Sequence, residues 1–191
     1  GRKNWHLLNA ALDIIRKARG EGVEVSADRY PYTAACTDLD VVLPDWASAG
    51  GREVVLRRLR DREMRKRIRD DLALSRDEQY WESVTISTTH HADNKKFQGM
   101  PLQQVAKQLS MDPVDAVLYL IDSDDLHTGG IFFGMNEENM WRILREPYVM
   151  IGSDASVRAP AGPLSGDHPH PRAYGTFPRF LRASLDGKMI Q

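Results

Sequence analysis

The stretch Tyr148-Val149-Met150-Ile151-Gly152-Ser153-Asp154 determines how the rest of the chain is interpreted. Its apolar residues follow a proline and predict a short buried strand that ends at Gly-Ser-Asp. An aspartate at the carboxyl end of a parallel strand stands where barrel enzymes collect their catalytic groups. A loop rich in Gly, Pro and His then leads to Arg172. From the residues alone, two interpretations stay open: Asp154 carries chemistry, or it caps the following turn.

Composition bounds the class of protein. The chain has 191 residues, of which 41% are hydrophobic and 28% charged, with a formal net charge of -1. These values are typical of a soluble globular protein and favour neither nucleic acid nor a membrane as partner. Its single cysteine, Cys36, excludes an intramolecular disulfide, so we expect a cytoplasmic location. The chain opens at Gly1 without an initiator methionine, and we expect it to be a fragment of a longer protein.

The spacing of apolar residues predicts an α/β fold. A helix is expected over residues 4–20, followed by a strand over 23–28. Later strands are expected at 84–88 and 129–135, and a helix at 136–144 leads into the strand around Met150. Strand, helix and strand at this spacing predict a βαβ unit in which the residues 129–135 pair in parallel with the last strand.

A strongly charged helical region is predicted at residues 52–74. Its arginines could form a phosphate-binding face, and the chain would then be a non-enzymatic interaction module. Acidic residues alternate with them, however, and this pattern favours ion pairs four residues apart on a solvated helix surface.

Five motifs occur in order along the chain: GRKNW at 1–5, DRYPYTA at 28–34, LPDW at 43–46, MIGSD at 150–154, and HPR with YGTFP at 170–178. Together they resemble the N-acyl-D-amino-acid deacylases (D-aminoacylases) of the amidohydrolase superfamily. The resemblance implies the last strands and helices of a (β/α)8 TIM-type barrel that holds zinc. It also implies hydrolysis of the amide of an N-acyl-D-amino acid to a D-amino acid and a carboxylate. Residues 1–39 and 100–191 would form this partial barrel, and 40–99 an α-rich insertion.

The resemblance assigns the chemistry to two residues. Asp154 matches the family's aspartate on the final barrel strand, which contacts zinc and acts as general base. It takes a proton from the metal-bound water and passes it to the leaving amine, as a carboxylate within hydrogen-bond reach can do. Arg172 matches the arginine that grips the substrate carboxylate, a task suited to its bidentate fork.

Other residues are assigned supporting roles by the same resemblance. Tyr30 matches a tyrosine near the substrate. Cys36 occupies a position where the family often has a serine that donates to the substrate carboxylate, although a thiol is a weaker donor. Met135 is expected to line the side-chain pocket, and His170 to order the loop around Arg172.

The family's other zinc ligands all precede the segment where this chain begins. None is matched by His6, His90, His91 or His127. A tight zinc site needs three or four protein ligands, so the isolated chain is expected to be inactive. Unpaired edges of a partial barrel would also make it self-associate or rearrange. An amidohydrolase of another specificity, dihydroorotase-like or deaminase-like, stays the enzymatic alternative.

Overall fold

The structure, a computed structural model, describes residues 1–189. The α-helices are α1 (Leu8–Gly20), α2 (Asp45–Ser48), α3 (Arg52–Arg60), α4 (Arg62–Ser75), α5 (Glu78–Glu82), α6 (Leu102–Leu109), α7 (Pro113–Ser123), α8 (Glu137–Leu144) and α9 (Arg172–Leu185). The strands are β1 (Ala27–Arg29), β2 (Ala35–Asp38), β3 (Val84–Thr88), β4 (Gly129–Phe132) and β5 (Val149–Ile151). Short 3-10 helices occur at Arg2–Leu7, Leu39–Val42 and Ala92–Phe97. The fold is therefore α/β, as the sequence predicted.

The chain divides into two compact units, which are described separately. The first contains residues 1–35 and 134–165 and the chain from 169 onward, and the second contains 36–133 and 166–168. The predicted insertion, 40–99, lies inside the second unit. That this segment interrupts a barrel stays a prediction.

In the first unit, β1 and β5 pair in parallel, with Ala27 opposite Val149 and Arg29 opposite Ile151. Helices α8 and α9 bury apolar side chains beside this pair, and the core there consists of Met140, Trp141, Leu144 and Ala183. The expected cap of α8 is present, because the side chain of Asn136 accepts a hydrogen bond from the Asn139 amide at 2.8 Å. Parallel pairing places the carboxyl ends of both strands at the same edge.

Two strand predictions were wrong in part. The strand expected at 23–28 is limited to Ala27–Arg29, because β5 offers only three residues to pair with. The strand expected at 129–135 ends at Phe132 and pairs antiparallel with β3, with Val84 opposite Phe132. The predicted parallel βαβ unit is therefore absent: β4 and β5 belong to different sheets.

The second unit contains a sheet in the order β2-β4-β3, with helices α2 to α7 around it. Fully buried side chains from helices and strands form one core, and the largest include Leu59, Ile68, Ile86, Leu118 and Ile121. This unit therefore has an apolar core of its own.

The charged region at 52–74 is two helices rather than one. Asp61 separates them, and its side chain caps α4 by accepting a hydrogen bond from the Met64 amide at 2.9 Å. The expected pairing four residues apart occurs between Lys66 and Asp70 at 2.8 Å.

Two arginines of this region, Arg60 and Arg69, form ion pairs with aspartates at the ends of α7 instead. Arg60 contacts Asp122 at 2.8 Å and Asp125 at 2.8 Å, while Arg69 contacts Asp112 at 2.6 Å. The prediction that arginine pairs would be local was therefore wrong for these two residues. Each such surface pair is worth about 0.2–1 kcal/mol, and their common effect is to orient α3 and α4 on α7.

Within residues 1–189, no helix combines the length and the apolar character needed to cross a bilayer.

Candidate active site

The carboxyl ends of β1 and β5 come close together because of a glycine. The Gly152 amide donates to the Arg29 carbonyl at 3.2 Å and extends the pairing beyond β5. A Cβ on Gly152 would lie 2.8 Å from Cγ of Asp28, closer than side chains pack. The approach of the two strand ends therefore requires a residue without a side chain.

Asp154 stands at this edge in an unusual backbone conformation. Its φ is 47°, the left-handed region that aspartate and asparagine enter more readily than other residues with side chains. This conformation turns the chain after β5, and the Asp154 side chain remains 65% exposed. The carboxylate is thus presented at the strand end rather than buried in a plain cap.

The Asp154 carboxylate forms an ion pair with Arg172, whose Nη1 lies 2.8 Å from Oδ2. Arg172 is the first residue of α9, and its side chain is only 10% exposed. Its guanidinium carbon lies 4.7 Å from the centre of the buried Tyr30 ring, a cation-π distance. Asp154, Arg172 and Tyr30 are therefore brought together, from three segments far apart in sequence.

His170 connects the chain after β1 to the start of α9. Its ring is buried, and its Nδ1 accepts a hydrogen bond from the Arg172 amide at 2.9 Å. The ring lies 5.4 Å from that of Tyr32, edge to face, and 5.8 Å from that of Tyr30. A further hydrogen bond joins the imidazole to the Ala34 backbone.

His170 is neutral at pH 7 in this environment. Burial lowers its pKa to about 4, and the positive charge of Arg172 acts in the same direction. The hydrogen bond to the Ala34 backbone and the charge of Asp154 oppose this shift but do not cancel it. A neutral ring with Nδ1 as acceptor carries its proton on Nε2, so it can donate to the Ala34 carbonyl.

Met135 lies next to the same strand end. Its amide donates to the Thr33 carbonyl at 3.1 Å, and its sulfur is 3.3 Å from Nη2 of Arg29. Both residues line a cavity of about 340 Å³ within the first unit. Met135 therefore lines a cavity, as expected. That a substrate side chain occupies this cavity stays a prediction.

Cys36 belongs to the second unit, unlike the other predicted site residues. There its thiol lies 3.8 Å from the Ser87 hydroxyl. Sequence reasoning gave no role to Arg29 or Tyr32, although both occur in the 28–34 motif. The available signal was their position beside Tyr30 in that motif, close to the end of a predicted strand.

A zinc site is not assembled by these residues alone. Among residues 1–189, no three His, Cys, Asp or Glu side chains are grouped so that they could hold a metal ion. The rings of His90 and His127 stack at 4.9 Å, in the second unit, while Asp154 brings a single carboxylate. One carboxylate paired with an arginine does not make a tight zinc site.

The chain is similar in sequence to curated proteins of known activity. No protein-family model matches it. N-acyl-D-glutamate deacylase of Alcaligenes xylosoxydans xylosoxydans is 29% identical over 178 residues, which are 93% of this chain. D-aminoacylase of the same organism is 28% identical over 181 residues, or 95% of the chain. The chain is therefore homologous to N-acyl-D-glutamate deacylase and D-aminoacylase.

Solved structures agree with this relationship. The N-acyl-D-glutamate deacylase of Bordetella bronchiseptica, complexed with zinc and a phosphonate that mimics the tetrahedral intermediate, matches 96% of the chain with a TM-score of 0.62 and 25% identity. D-aminoacylase, an enzyme with a binuclear metal centre, matches 98% with a TM-score of 0.60 and 27% identity. The chain spans about 27% of the length of these two curated relatives and 29–30% of these structures.

Proposed function

We propose that the chain forms the part of a zinc-dependent N-acyl-D-amino-acid deacylase that carries the general base and the substrate carboxylate clamp. The ion pair between Asp154 and Arg172, at 2.8 Å beside the paired ends of β1 and β5, is the observation that carries this proposal. Most of the zinc ligands would come from outside this chain. Strands β1 and β5 would be the last two strands of a (β/α)8 barrel. Residues 40–99 would be an insertion in this barrel.

Arg172 is the residue suited to hold the substrate carboxylate. Its guanidinium is nearly buried, and its central carbon lies 4.7 Å from the centre of the Tyr30 ring. A guanidinium matches a carboxylate with two parallel hydrogen bonds, and this geometry orients the ligand as well as binding it. The Tyr30 phenol would stand beside the same ligand, which fits its proposed role in substrate binding.

Asp154 is the residue suited to move the proton. In the structure its carboxylate contacts Arg172, the arginine that would bind the substrate carboxylate. An incoming carboxylate would take over this contact, and Asp154 would then be left at the reacting bond. There it would accept a proton from the attacking water and deliver it to the nitrogen of the amide that breaks.

Met135 would contact the amino-acid side chain, and His170 would hold Arg172 through its backbone amide, 2.9 Å away. Cys36 would donate weakly to the substrate carboxylate, as the resemblance implies. These three roles stay proposals of the same function. They supply shape and orientation rather than the chemical step.

The proposal is tested with the complete, zinc-loaded protein and a panel of substrates. N-acetyl-D-amino acids should be hydrolysed, while N-acetyl-L-amino acids, dihydroorotate and cytosine should not. The Asp154→Asn variant is the matched control for hydrolysis by a contaminating enzyme. Turnover of a cyclic amide or of cytosine with no release of D-amino acids would contradict the proposal and favour another amidohydrolase specificity.

A further inference from the structure

The first turns of α9, which carry Arg172, are weakly held by the helix itself. Helix α9 begins after Pro171, whose side chain supplies no capping hydrogen bond, and no acidic residue lies in its first turn. Pro178 lies inside the helix and has no amide hydrogen to donate to the carbonyl four residues earlier. The orientation of the segment that carries Arg172 therefore depends on contacts from outside the helix.

One side chain outside the helix, that of Tyr32, contacts α9 on both sides of Pro178. A Cβ on Gly175 would clash with the Tyr32 hydroxyl, so the phenol lies directly against the helix backbone. The guanidinium carbon of Arg179 lies 4.8 Å from the centre of the Tyr32 ring, a cation-π distance. Because Gly175 and Arg179 are four residues apart, they lie on the same face of the helix. Tyr32 therefore spans the point at which the proline interrupts the helical hydrogen bonds.

The same ring also packs on His170, which holds Arg172 by its amide. The rings of Tyr32 and His170 meet edge to face, with centroids 5.4 Å apart and planes at 90°. Aromatic pairs favour this arrangement. His170 in turn accepts a hydrogen bond from the Arg172 amide at 2.9 Å. A series of direct contacts thus leads from Tyr32 through His170 to the backbone of Arg172.

Tyr32 is itself connected to β1. It follows Pro31, which is buried and restricts the backbone, and its carbonyl accepts a hydrogen bond from Nη2 of Arg29 at 3.4 Å. Arg29 is the last residue of β1, which pairs with β5. The ring of Tyr32 therefore connects this pair of strands to the helix that carries Arg172.

We propose that Tyr32 is a positioning residue, whose ring holds His170 and the first half of α9 so that Arg172 faces the substrate carboxylate. This inference rests on the proposed function of the chain. It gives the two tyrosines of the 28–34 motif different tasks. Tyr30 contacts the guanidinium itself, while Tyr32 acts through the histidine and the helix. The ring carries this role rather than the hydroxyl, because the histidine and the arginine of α9 both contact the ring.

Kinetics of the complete zinc-loaded protein with N-acetyl-D-amino acids test the proposal. Tyr32→Leu should raise KM about 10- to 100-fold, since a misplaced guanidinium weakens binding, while kcat changes less than about threefold. Tyr32→Phe keeps the ring and should raise KM less than about threefold. Tyr174→Leu is the matched control, because this tyrosine of α9 is 54% exposed, and its KM should stay within about twofold of the unmodified value.

Two results would overturn the proposal directly. One is an unchanged KM for Tyr32→Leu, or a loss confined to kcat, because the guanidinium would then be aimed without the ring. The other is an equal rise in KM for Tyr32→Phe and Tyr32→Leu, because the hydroxyl would then carry the role.

A second variant keeps the test decisive if Tyr32→Leu does not fold, as judged by circular dichroism. Arg179 is exposed, so Arg179→Gln should fold, and loss of its contact with the ring should raise KM about three- to fivefold. Arg182→Gln, on the same helix with its side chain 76% exposed, is the control and should leave KM within about twofold. In that case, equal KM values for Arg179→Gln and Arg182→Gln would overturn the proposal.

A proton titration separates failure of this inference from failure of the proposed function, since it needs no turnover. Burial and the charge of Arg172 lower the pKa of His170 to about 4; the ring also faces Tyr30 and Tyr32, and the charge of Asp154 opposes the shift. In the 191-residue chain, Tyr32→Leu should raise this pKa toward 6.5, because water reaches the imidazole. Tyr32→Phe should leave it near 4. Imidazole proton resonances, assigned with His170→Asn, provide the measurement.

The two experiments give distinguishable outcomes. If N-acetyl-D-amino acids are hydrolysed while Tyr32→Leu changes neither KM nor the pKa of His170, this inference fails and the proposed function stands. If the pKa shifts as expected but the complete protein hydrolyses no such substrate, the proposed function fails and the contact between Tyr32 and His170 stands.

Discussion

Arg172 and Asp154 meet at 2.8 Å although their side chains differ widely in exposure, 10% for the arginine and 65% for the aspartate. The cation is fixed by its surroundings, and the anion is the member that can move or be replaced. This asymmetry suits a site in which an incoming carboxylate competes for the arginine. It also makes the two residues separable by mutation.

Arg172→Lys should weaken substrate binding in the complete protein. Lysine keeps the charge but loses the fork that matches a carboxylate, so KM should rise about tenfold with a smaller change in kcat. Arg172→Gln should raise KM by about 100-fold, since the charge is lost as well. Initial rates against N-acetyl-D-amino acids provide the measurement. A change in kcat alone would contradict the clamp role.

Asp154→Asn should remove catalysis while leaving the fold intact. Asparagine also tolerates the left-handed backbone found at this position, so the loop should keep its conformation. Loss of the general base should reduce kcat by about 100- to 10,000-fold with little change in KM. An unaltered kcat in the zinc-loaded protein would remove Asp154 from the proton transfer.

The backbone at position 154 can be tested independently of activity. Asp154→Gly and Asp154→Ala both delete the carboxylate, but only alanine is penalised at a φ of 47°. The glycine variant should therefore be more stable than the alanine variant by about 1 kcal/mol in chemical unfolding. Equal stability would mean that the turn after β5 relaxes away from this conformation.

Replacement of Gly175 by alanine should destabilise the chain, because Tyr32 occupies the space that the added methyl group needs. A Cβ there would clash with the Tyr32 hydroxyl, at a point where α9 packs on the chain after β1. Gly175→Ala should destabilise the chain by about 1–3 kcal/mol, more than the gain that alanine brings to a helix. Tyr32→Phe should restore most of that loss in the double variant, because the clashing oxygen is removed.

Gly20→Ala is the matched control for this pair. It also lies in a helix, and nothing is within 4 Å of its added Cβ. Its free energy of unfolding should change by less than about 1 kcal/mol. Failure of Tyr32→Phe to rescue Gly175→Ala would show that the backbone, rather than the tyrosine, is the obstacle.

The isolated 191-residue chain should show no zinc-dependent release of a D-amino acid. Residues 1–189 contain no group of three side chains that could hold the metal. Incubation with zinc and N-acetyl-D-amino acids, followed by detection of free D-amino acid, checks this expectation. Activity lost on chelation and restored by zinc would contradict it.

Much of the fold could be predicted because its signals are local. Helix α8 follows from the cap at Asn136 and the apolar spacing after it, and the strand around Met150 follows from its apolar run. The expectation that this strand is buried was wrong, because Met150 is 59% exposed. The partner of a strand is not a local property. Residues 129–132 carry no sequence signal that distinguishes pairing with β3 from pairing with β5, and the parallel prediction was wrong for that reason.

The candidate site divides in the same way. Asp154, Arg172, Tyr30 and His170 were expected from motifs, and their contacts could be described only once β1, β5 and α9 were placed together. Arg29 was missed because a sequence does not show which groups pack on a strand-end arginine. In the structure these are the Tyr30 ring, the Tyr32 carbonyl and the Met135 sulfur.

His170 should make stability depend on pH. Its pKa is about 4 in the folded chain and about 6.5 when unfolded, because burial and Arg172 oppose protonation. Between these values the unfolded state binds more protons, so this contribution to stability is fully present above about pH 6.5 and is lost as pH falls toward 4. The loss should reach about 1–3 kcal/mol.

His170→Asn keeps an acceptor for the Arg172 amide but cannot titrate, so its urea unfolding free energy should fall less between pH 7 and pH 5. The opposite outcome is an equal fall in unfolding free energy for the unmodified chain and for His170→Asn. It would show that the imidazole is already charged in the folded chain or is not enclosed by Tyr30, Tyr32 and Arg172.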